Sequence, residues 1–377
     1  MTEGQLVERE VPPNEPRVLV LWADEKSPNL GVRVLGAGAA SIARAIWGHG
    51  TTVNLQDFAG TQTGVGMGIK AIVKEYLGRK RAIRDFLKSH DYVFDTGAGD
   101  SFTDIYGMKR LITIFIIQRW CLAQGIPVIL LPQTIGPFNT RVGRILARSQ
   151  LSKLSLVMAR DPKSAAISAD LGRKPEVISS DMVFALPTEA SCGSYDILLN
   201  VSGLLWNSNK HVDSERYRQS VSGFIDLMRS RGRSVTLLAH VVDGAPNDND
   251  SAAIKELIRE SYPSVDYVSP ASLQQARKVI AAANLVVGAR MHACLNALSL
   301  GVPTIPWAYS RKFEPLLAQL GWTHLVDLKS SEDVALATLE ILERTSKEDL
   351  RRQAIAVSEA GRAALALTAD GIRTFKA

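Results

Sequence analysis

Short apolar runs alternate with helical stretches along this chain, and the alternation breaks once and then resumes. Arg17–Trp22, Thr51–Leu55, Asp91–Asp95, Ile126–Leu131, Leu154–Ala159 and Glu176–Ile178 read as strands. Between them, Ile69–Leu87, Lys109–Gln124 and Thr140–Ser152 carry apolar residues near helical spacing. Asn29–Gly38 reads as a Gly-rich turn that leads into a helix ending near Gly48. Asp161-Pro162 marks another helix start, with Asp as N-cap and Pro in the first turn. Periodicity is lost over Leu186–Ser194, where Pro187, Ser191 and Gly193 cluster. Strand candidates then return at Asp196–Val201, Ser234–Leu238, Val265–Val268, Leu285–Gly288, Val302–Ile305 and His324–Val326. Glu332 to about Leu367 reads as helix, rich in Ala, Leu and Glu. Strands that alternate with helices imply a parallel sheet, because each crossover helix lays its apolar stripe on a sheet face.

A chain of 377 residues exceeds one ordinary core. The expected fold is α/β, with two doubly wound Rossmann-like domains facing a cleft, as in the GT-B glycosyltransferases, and a helical C-terminal segment. The expected divisions are a disordered tail at 1–16, an N-terminal acceptor-side domain at 17–188, a C-terminal donor-side domain at 189–345 and a C-terminal helix at 346–377. The tail is polar, carries four acidic residues and lacks the apolar stretch of a signal peptide. Leu111–Ile117 is too short to cross a bilayer and reads as buried helix. A net charge of +6 and a pI near 9.2 suit anionic substrates or an anionic membrane surface. No basic stripe is interleaved with aromatics, so no nucleic-acid partner is expected. Cys121, Cys192 and Cys294 lack paired or metal spacing and read as reduced thiols. The expected setting is cytoplasmic, with room for peripheral attachment to the inner membrane surface.

Ligands of open α/β sheets bind beyond the carboxyl ends of the strands, and every unusual cluster falls at such an end. Arg290 and His292 sit where a strand ends and the helix Met291–Leu300 begins. Unpaired backbone N–H groups and the helix dipole favour an anion there, with a titratable imidazole beside it. The blander reading has Arg290 capping a surface and His292 satisfied in a core. Arg160 follows another strand and could merely pair with Asp161. Gly97, Gly99 and Asp100 follow a third strand, and could be no more than a tight turn. Gln133 and Gly136 follow a fourth, and His240 a fifth. Lys312 lies just past Trp307–Arg311 and could be solvated. Neither Gly-rich segment matches a phosphate-binding Walker loop or a dinucleotide fingerprint. Asp248-Asn-Asp250 resembles the acidic pair of metal-dependent sugar transferases, but Asp250 reads better as a helix N-cap, and no metal is expected. No Gly-x-Ser-x-Gly elbow is present.

Six segments recur together in a known order: Asp95-Thr-Gly-Ala-Gly-Asp-Ser-Phe102, Leu131-Pro-Gln-Thr-Ile-Gly-Pro-Phe138, Ala159-Arg-Asp161, Ser180-Asp-Met-Val-Phe184, Ala289-Arg-Met-His-Ala293 and Tyr309-Ser-Arg-Lys312. In them the chain resembles the polysaccharide pyruvyl transferase family. Members use phosphoenolpyruvate to place a pyruvate ketal on a sugar of a cell-surface glycan or its lipid-linked precursor. The resemblance implies donor-binding positions at Arg160, His292 and Lys312, with phosphoenolpyruvate as substrate and no cofactor. Arg290 would add a further cation, and His292 suits acid–base work. Asn29, Gly31, Gly97, Gly99, Asp100, Gln133, Gly136 and His240 are candidates for acceptor contact or for lining the cleft. Where the family usually reads Asn-x-Gly-Asp, this chain has Asn29-Leu-Gly-Val32. Two rivals stand beside this reading: a nucleotide-sugar glycosyltransferase of the same architecture, and an inactive binding or scaffold protein. The acceptor sugar and the oligomeric state are left open.

Overall fold

Two six-stranded sheets, each built of parallel pairs, carry the chain. The computed structural model describes residues 15–78, 81–190 and 194–375. Most of the expected tail, Cys192 and the centre of the expected break lie outside the described residues. The first half runs β1 (Arg17–Leu21), α1 (Leu30–Trp47), β2 (Thr52–Gln56), α2 (Ile69–Leu77), α3 (Ala82–Lys88), β3 (Tyr92–Asp95), α4 (Met108–Ala123), β4 (Val128–Gln133), α5 (Arg141–Leu151), β5 (Leu156–Ala159), α6 (Pro162–Asp170) and β6 (Val177–Ile178). The second runs β7 (Tyr195–Asn200), α7 (Gly203–Trp206), α8 (Ser214–Ser230), β8 (Val235–Leu238), α9 (Asp250–Glu260), β9 (Tyr267–Val268), α10 (Leu273–Ala281), β10 (Ala283–Gly288), α11 (Met291–Ser299), β11 (Thr304–Ala308), α12 (Phe313–Gln319), β12 (Val326–Asp327), α13 (Val334–Arg344) and α14 (Lys347–Thr374).

The strand orders are β2-β1-β3-β4-β5-β6 and β12-β11-β10-β7-β8-β9. Both are doubly wound, as the alternation requires. The winding reverses between β1 and β3 in one sheet and between β7 and β10 in the other, and each reversal opens a crevice at the strand ends. Those two crevices position the site.

Three local expectations differ. The Gly-rich stretch at Asn29–Gly38 lies inside α1 apart from its cap, Asn29. Its glycines serve close packing: a Cβ at Gly38 would lie 2.4 Å from the Met182 carbonyl oxygen. The single helix expected at 69–87 is two, because Gly78 takes up extended backbone. Buried Glu75 then accepts from the Ile83 and Arg84 backbone N–H groups at 2.6 and 3.1 Å, and so starts α3. The helical stretch expected from Glu332 to about Leu367 is broken at Thr345, and Ser346 caps α14 by accepting from the Asp349 N–H at 3.1 Å.

One apolar core joins the halves. Val18, Val20 and Phe94 of the first sheet share it with Leu295 and Leu298 of α11, Phe313 and Leu316 of α12, and Ala354 and Val357 of α14. Helix α14 leaves the second half and lies back against α1 and the turn Met182–Ala185. Thr368 donates to the Ser179 hydroxyl at 2.7 Å, and Ser179 donates to the Ala364 carbonyl at 2.9 Å. Among the described residues α1 alone is long and apolar enough to cross a membrane, and most of it is buried in this core.

Candidate active site

The two crevices face each other across a cavity of about 570 Å³. From the first half it is lined by the start of α1, the Gly97–Gly99 turn with Asp100, Tyr106 and Arg160. From the second it is lined by His240, Arg290, His292 and the segment Tyr309–Lys312.

Asp181 organises the centre. It follows β6 and is fully buried. Arg160 follows β5 and donates from Nη1 to Asp181 Oδ2 at 3.0 Å. His292, in the first turn of α11, brings Nε2 to 3.6 Å from the same oxygen. Burial alone would raise the Asp181 pKa, but His292 and Arg160 overcome this and hold the carboxyl well below the usual carboxylate range. The alternative partner of Arg160, Asp161, lies farther off at 4.0 Å and spends its carboxylate capping α6. Arg160 Nε is buried and has no hydrogen-bond partner within the protein.

Asn29 and Gly31 bring α1 to this centre. Asn29 Oδ1 accepts from the Gly31 N–H at 2.9 Å and caps the helix. A Cβ at Gly31 would lie 2.7 Å from His292 Nδ1. The glycine therefore lets a helix of one half touch the imidazole of the other. Val32 also lines the cavity.

Lys312 makes a second cross-cleft contact. Its Nζ pairs with the Asp100 carboxylate and donates to the Tyr106 hydroxyl at 3.1 Å. Tyr106 in turn donates to Asp100 at 2.6 Å. Burial pushes the Lys312 ammonium down to about 8.

Arg290, unlike Arg160 and Lys312, is hydrogen-bonded to two carboxylates. Its guanidinium is held by Asp250, through Nε at 3.1 Å and Nη2 at 2.6 Å, and by Asp248. Asp250 also accepts from the N–H groups of Gly203, His240 and Val241 and from Asn200 Nδ2. The expectation that Asp250 caps its helix is corrected: Asn249 is the cap, accepting from the Ala252 N–H at 3.1 Å. The acidic pair is neutralised by Arg290, and Arg290 is bound to it rather than turned freely into the cleft. Among the described residues no cluster of His, Cys, Asp or Glu is arranged to hold a metal ion.

His240 lies under the cavity, 1% exposed, with Nε2 3.4 Å from Asn296 Nδ2. Burial, then the charge of His292, pushes its pKa down to about 3, so its ring is neutral near pH 7. Gly99 and Asp100 line the cavity, while Gly97 and Gln133 sit behind it. At Gly97, where φ is +50°, an added Cβ would overlap Gln133 Oε1. Gly136 borders a small separate hollow between α6 and α12. Sequence reading did not single out Asp181, Tyr106, Tyr309, Lys210, His211 or Lys329 for the site. Asp181 and Tyr309 lay inside segments that resemble the family, and Asp181 is also a carboxylate just past a short strand.

A sequence profile of the polysaccharide pyruvyl transferases matches residues 60–311. The chain belongs to the polysaccharide pyruvyl transferase family. The candidate residues Arg160 and His292 lie within that match, and Lys312 directly follows it. No curated protein matches the chain. Solved structures share the fold at low identity. The UDP-GlcNAc 2-epimerase of Methanocaldococcus jannaschii has a TM-score of 0.58 and 13% identity, covering 94% of this chain and 100% of that one. The Neisseria meningitidis UDP-GlcNAc 2-epimerase, bound to UDP-GlcNAc, has a TM-score of 0.58 and 12% identity, covering 95% and 100%. An Anabaena protein in complex with UDP and glucose has a TM-score of 0.52 and 12% identity, covering 95% and 98%. These likenesses concern the two-sheet GT-B-like architecture.

Proposed function

We propose that this family member transfers pyruvate from phosphoenolpyruvate to a pair of hydroxyls on a sugar of a cell-surface polysaccharide or lipid-linked precursor, releasing phosphate. The observation that carries the reading is convergence. Arg160, His292 and Lys312 come from three strand ends in two halves and line one cavity. Phosphoenolpyruvate holds about three negative charges near neutral pH, on a phosphate and a carboxylate. Arg160 offers a planar fork for one of these groups, and Lys312 a point charge for the other. Arg311, exposed at the same cavity, adds a further cation. Arg290 serves this proposal indirectly, by fixing the start of α11 and so the position of His292.

The proposed reaction balances without another co-reactant. One sugar hydroxyl adds to the enol carbon bearing phosphate, while the terminal carbon takes up a proton. The second hydroxyl then replaces phosphate and closes the ketal. Two hydroxyl protons are lost; one ends on the new methyl group and one on phosphate. In this proposal His292 moves the proton, with the Asp181 carboxylate 3.6 Å from its Nε2 to favour the charged ring.

The decisive experiment incubates the protein with phosphoenolpyruvate and lipid-linked or polysaccharide acceptors. Mass spectrometry should find the increment of a pyruvate ketal, matched by released phosphate. A thermal-shift comparison separates the glycosyltransferase rival: phosphoenolpyruvate should stabilise the protein and nucleotide sugars should not. Stabilisation by nucleotide sugars alone, with no ketal formed on any acceptor, would reject the proposal.

A further inference from the structure

The outer surface of the layer formed by α2, α4 and α5 differs from the rest of the protein. Amphipathic surface helices ordinarily turn apolar side chains inward. Here Tyr76 and Leu77 of α2 are 77% and 80% exposed, and Val142 and Ile145 of α5 are 59% and 67% exposed. Val73 joins the first pair one turn away, and a shallow apolar hollow of about 300 Å³ opens beside it against Ile116 and Trp120 of α4. The other large exposed apolar side chains are spread over several elements, except for Ile105 and Tyr106. Those two sit at the cleft mouth, in the turn before α4. Asp104 ties that turn to the start of α5 by accepting from the Asn139 and Thr140 N–H groups, each at 2.8 Å. The apolar surface thus leads toward the rim of the active cleft.

The charge on these helices is one-sided. Together α2, α4 and α5 carry eight Lys or Arg residues and one acidic residue, Glu75. Glu75 is buried and occupied with the start of α3. Arg141, Arg144 and Arg148 recur along α5 near helical spacing, close to its exposed apolar pair. Exposed apolar side chains among cations match a bilayer with anionic headgroups: the apolar groups enter the boundary region and the cations meet phosphates. A second copy of the chain fits poorly, since a two-fold contact would set this cationic face against itself.

We infer that the α2–α4–α5 face docks on an anionic lipid surface and so holds the mouth of the cleft toward the membrane. The inference is independent of the reaction proposed above, and its test does not measure turnover. The full chain is floated with vesicles of phosphatidylglycerol and phosphatidylethanolamine, and separately with vesicles of phosphatidylcholine alone. The wild type should float with the anionic vesicles, be released by high salt and stay behind with phosphatidylcholine. Tyr76→Ser with Leu77→Ser should lower partitioning about tenfold or more, through lost apolar insertion. Arg141→Gln, Arg144→Gln and Arg148→Gln together should lower it roughly hundredfold at low salt. All these side chains are exposed or at the surface, so circular dichroism and Tm should match the wild type. Failure of the wild type to float on anionic vesicles overturns the inference, as does equal flotation on phosphatidylcholine. Wild-type binding by both variants overturns it too. So does loss of a dimer in the serine variant, read by light scattering, without any vesicle binding by the wild type.

Discussion

Position 31 has room for no side chain, because the imidazole of His292 occupies the space a Cβ would take. Gly31→Ala should therefore shift the His292 ring relative to Asp181 by a few tenths of an ångström or more. Misplacement on that scale costs turnover more than stability, so kcat should fall roughly 10- to 100-fold with Tm nearly unchanged. A kcat within about twofold of wild type would show that the contact does not position the imidazole. His292 itself makes the sharper test. His292→Asn keeps a hydrogen-bonding side chain but cannot shuttle a proton. Calorimetry should find phosphoenolpyruvate affinity largely retained, while turnover drops by about 10²-fold or more. Equal losses of affinity and turnover would make His292 a donor-binding group only.

At the scale of elements, the end of β7, the start of α9 and the end of β10 meet in one buried polar knot around Asp250. Removing that carboxylate leaves Arg290 buried beside only Asp248, which is partly exposed. Asp250→Ala should cost about 3–5 kcal/mol in urea unfolding, and Asp248→Ala much less. Equal costs would show that Asp250 is not the centre of the knot. The neighbouring His240 gives the knot an acid-sensitive side. Its pKa is pushed to about 3 in the fold, against 6.5 as the reference value. Above pH 6.5 neither state binds the proton and the group contributes nothing to the pH dependence. As pH falls below 6.5 the unfolded chain takes up a proton that the fold refuses. Stability should drop by about 1.4 kcal/mol per pH unit, down to the folded pKa. The slope should be shallower in His240→Asn, and an unchanged slope would assign the acid sensitivity elsewhere. This knot also marks what could be read from sequence. The strands were legible because buried parallel strands are continuous apolar runs, and site residues at their ends followed from that. The partner of Arg290 was not legible, since Asp250 lies 40 residues away and reaches it only because β7 and β10 are neighbours. Nor was the role of Gly31 and Gly38, since glycine suggests a turn unless the packed neighbour is visible.

For the molecule as a whole, α14 is the element that binds the halves into one body, and its tightest point is Gly361. A Cβ there would lie 2.4 Å from the Phe184 ring. Phe184 belongs to the Met182–Ala185 turn, whose cap is Asp181. The same Asp181 holds Arg160 and lies beside His292. A shift of α14 should thus reach the proposed donor site through one short turn, without touching any residue that lines the cavity. Gly361→Ala should cost about 1–3 kcal/mol by overpacking, and it should also weaken phosphoenolpyruvate binding. Ala360→Gly, at an exposed neighbouring position on the same helix, should cost about 1 kcal/mol through helix propensity alone and leave donor binding intact. The comparison separates loss of stability from movement of Asp181. If both variants bind phosphoenolpyruvate as the wild type does, α14 clamps the halves without setting the geometry of the site. If both weaken binding in proportion to lost stability, the effect is general loosening. Only a loss confined to Gly361→Ala supports a route from the C-terminal helix, through Phe184 and Asp181, to His292.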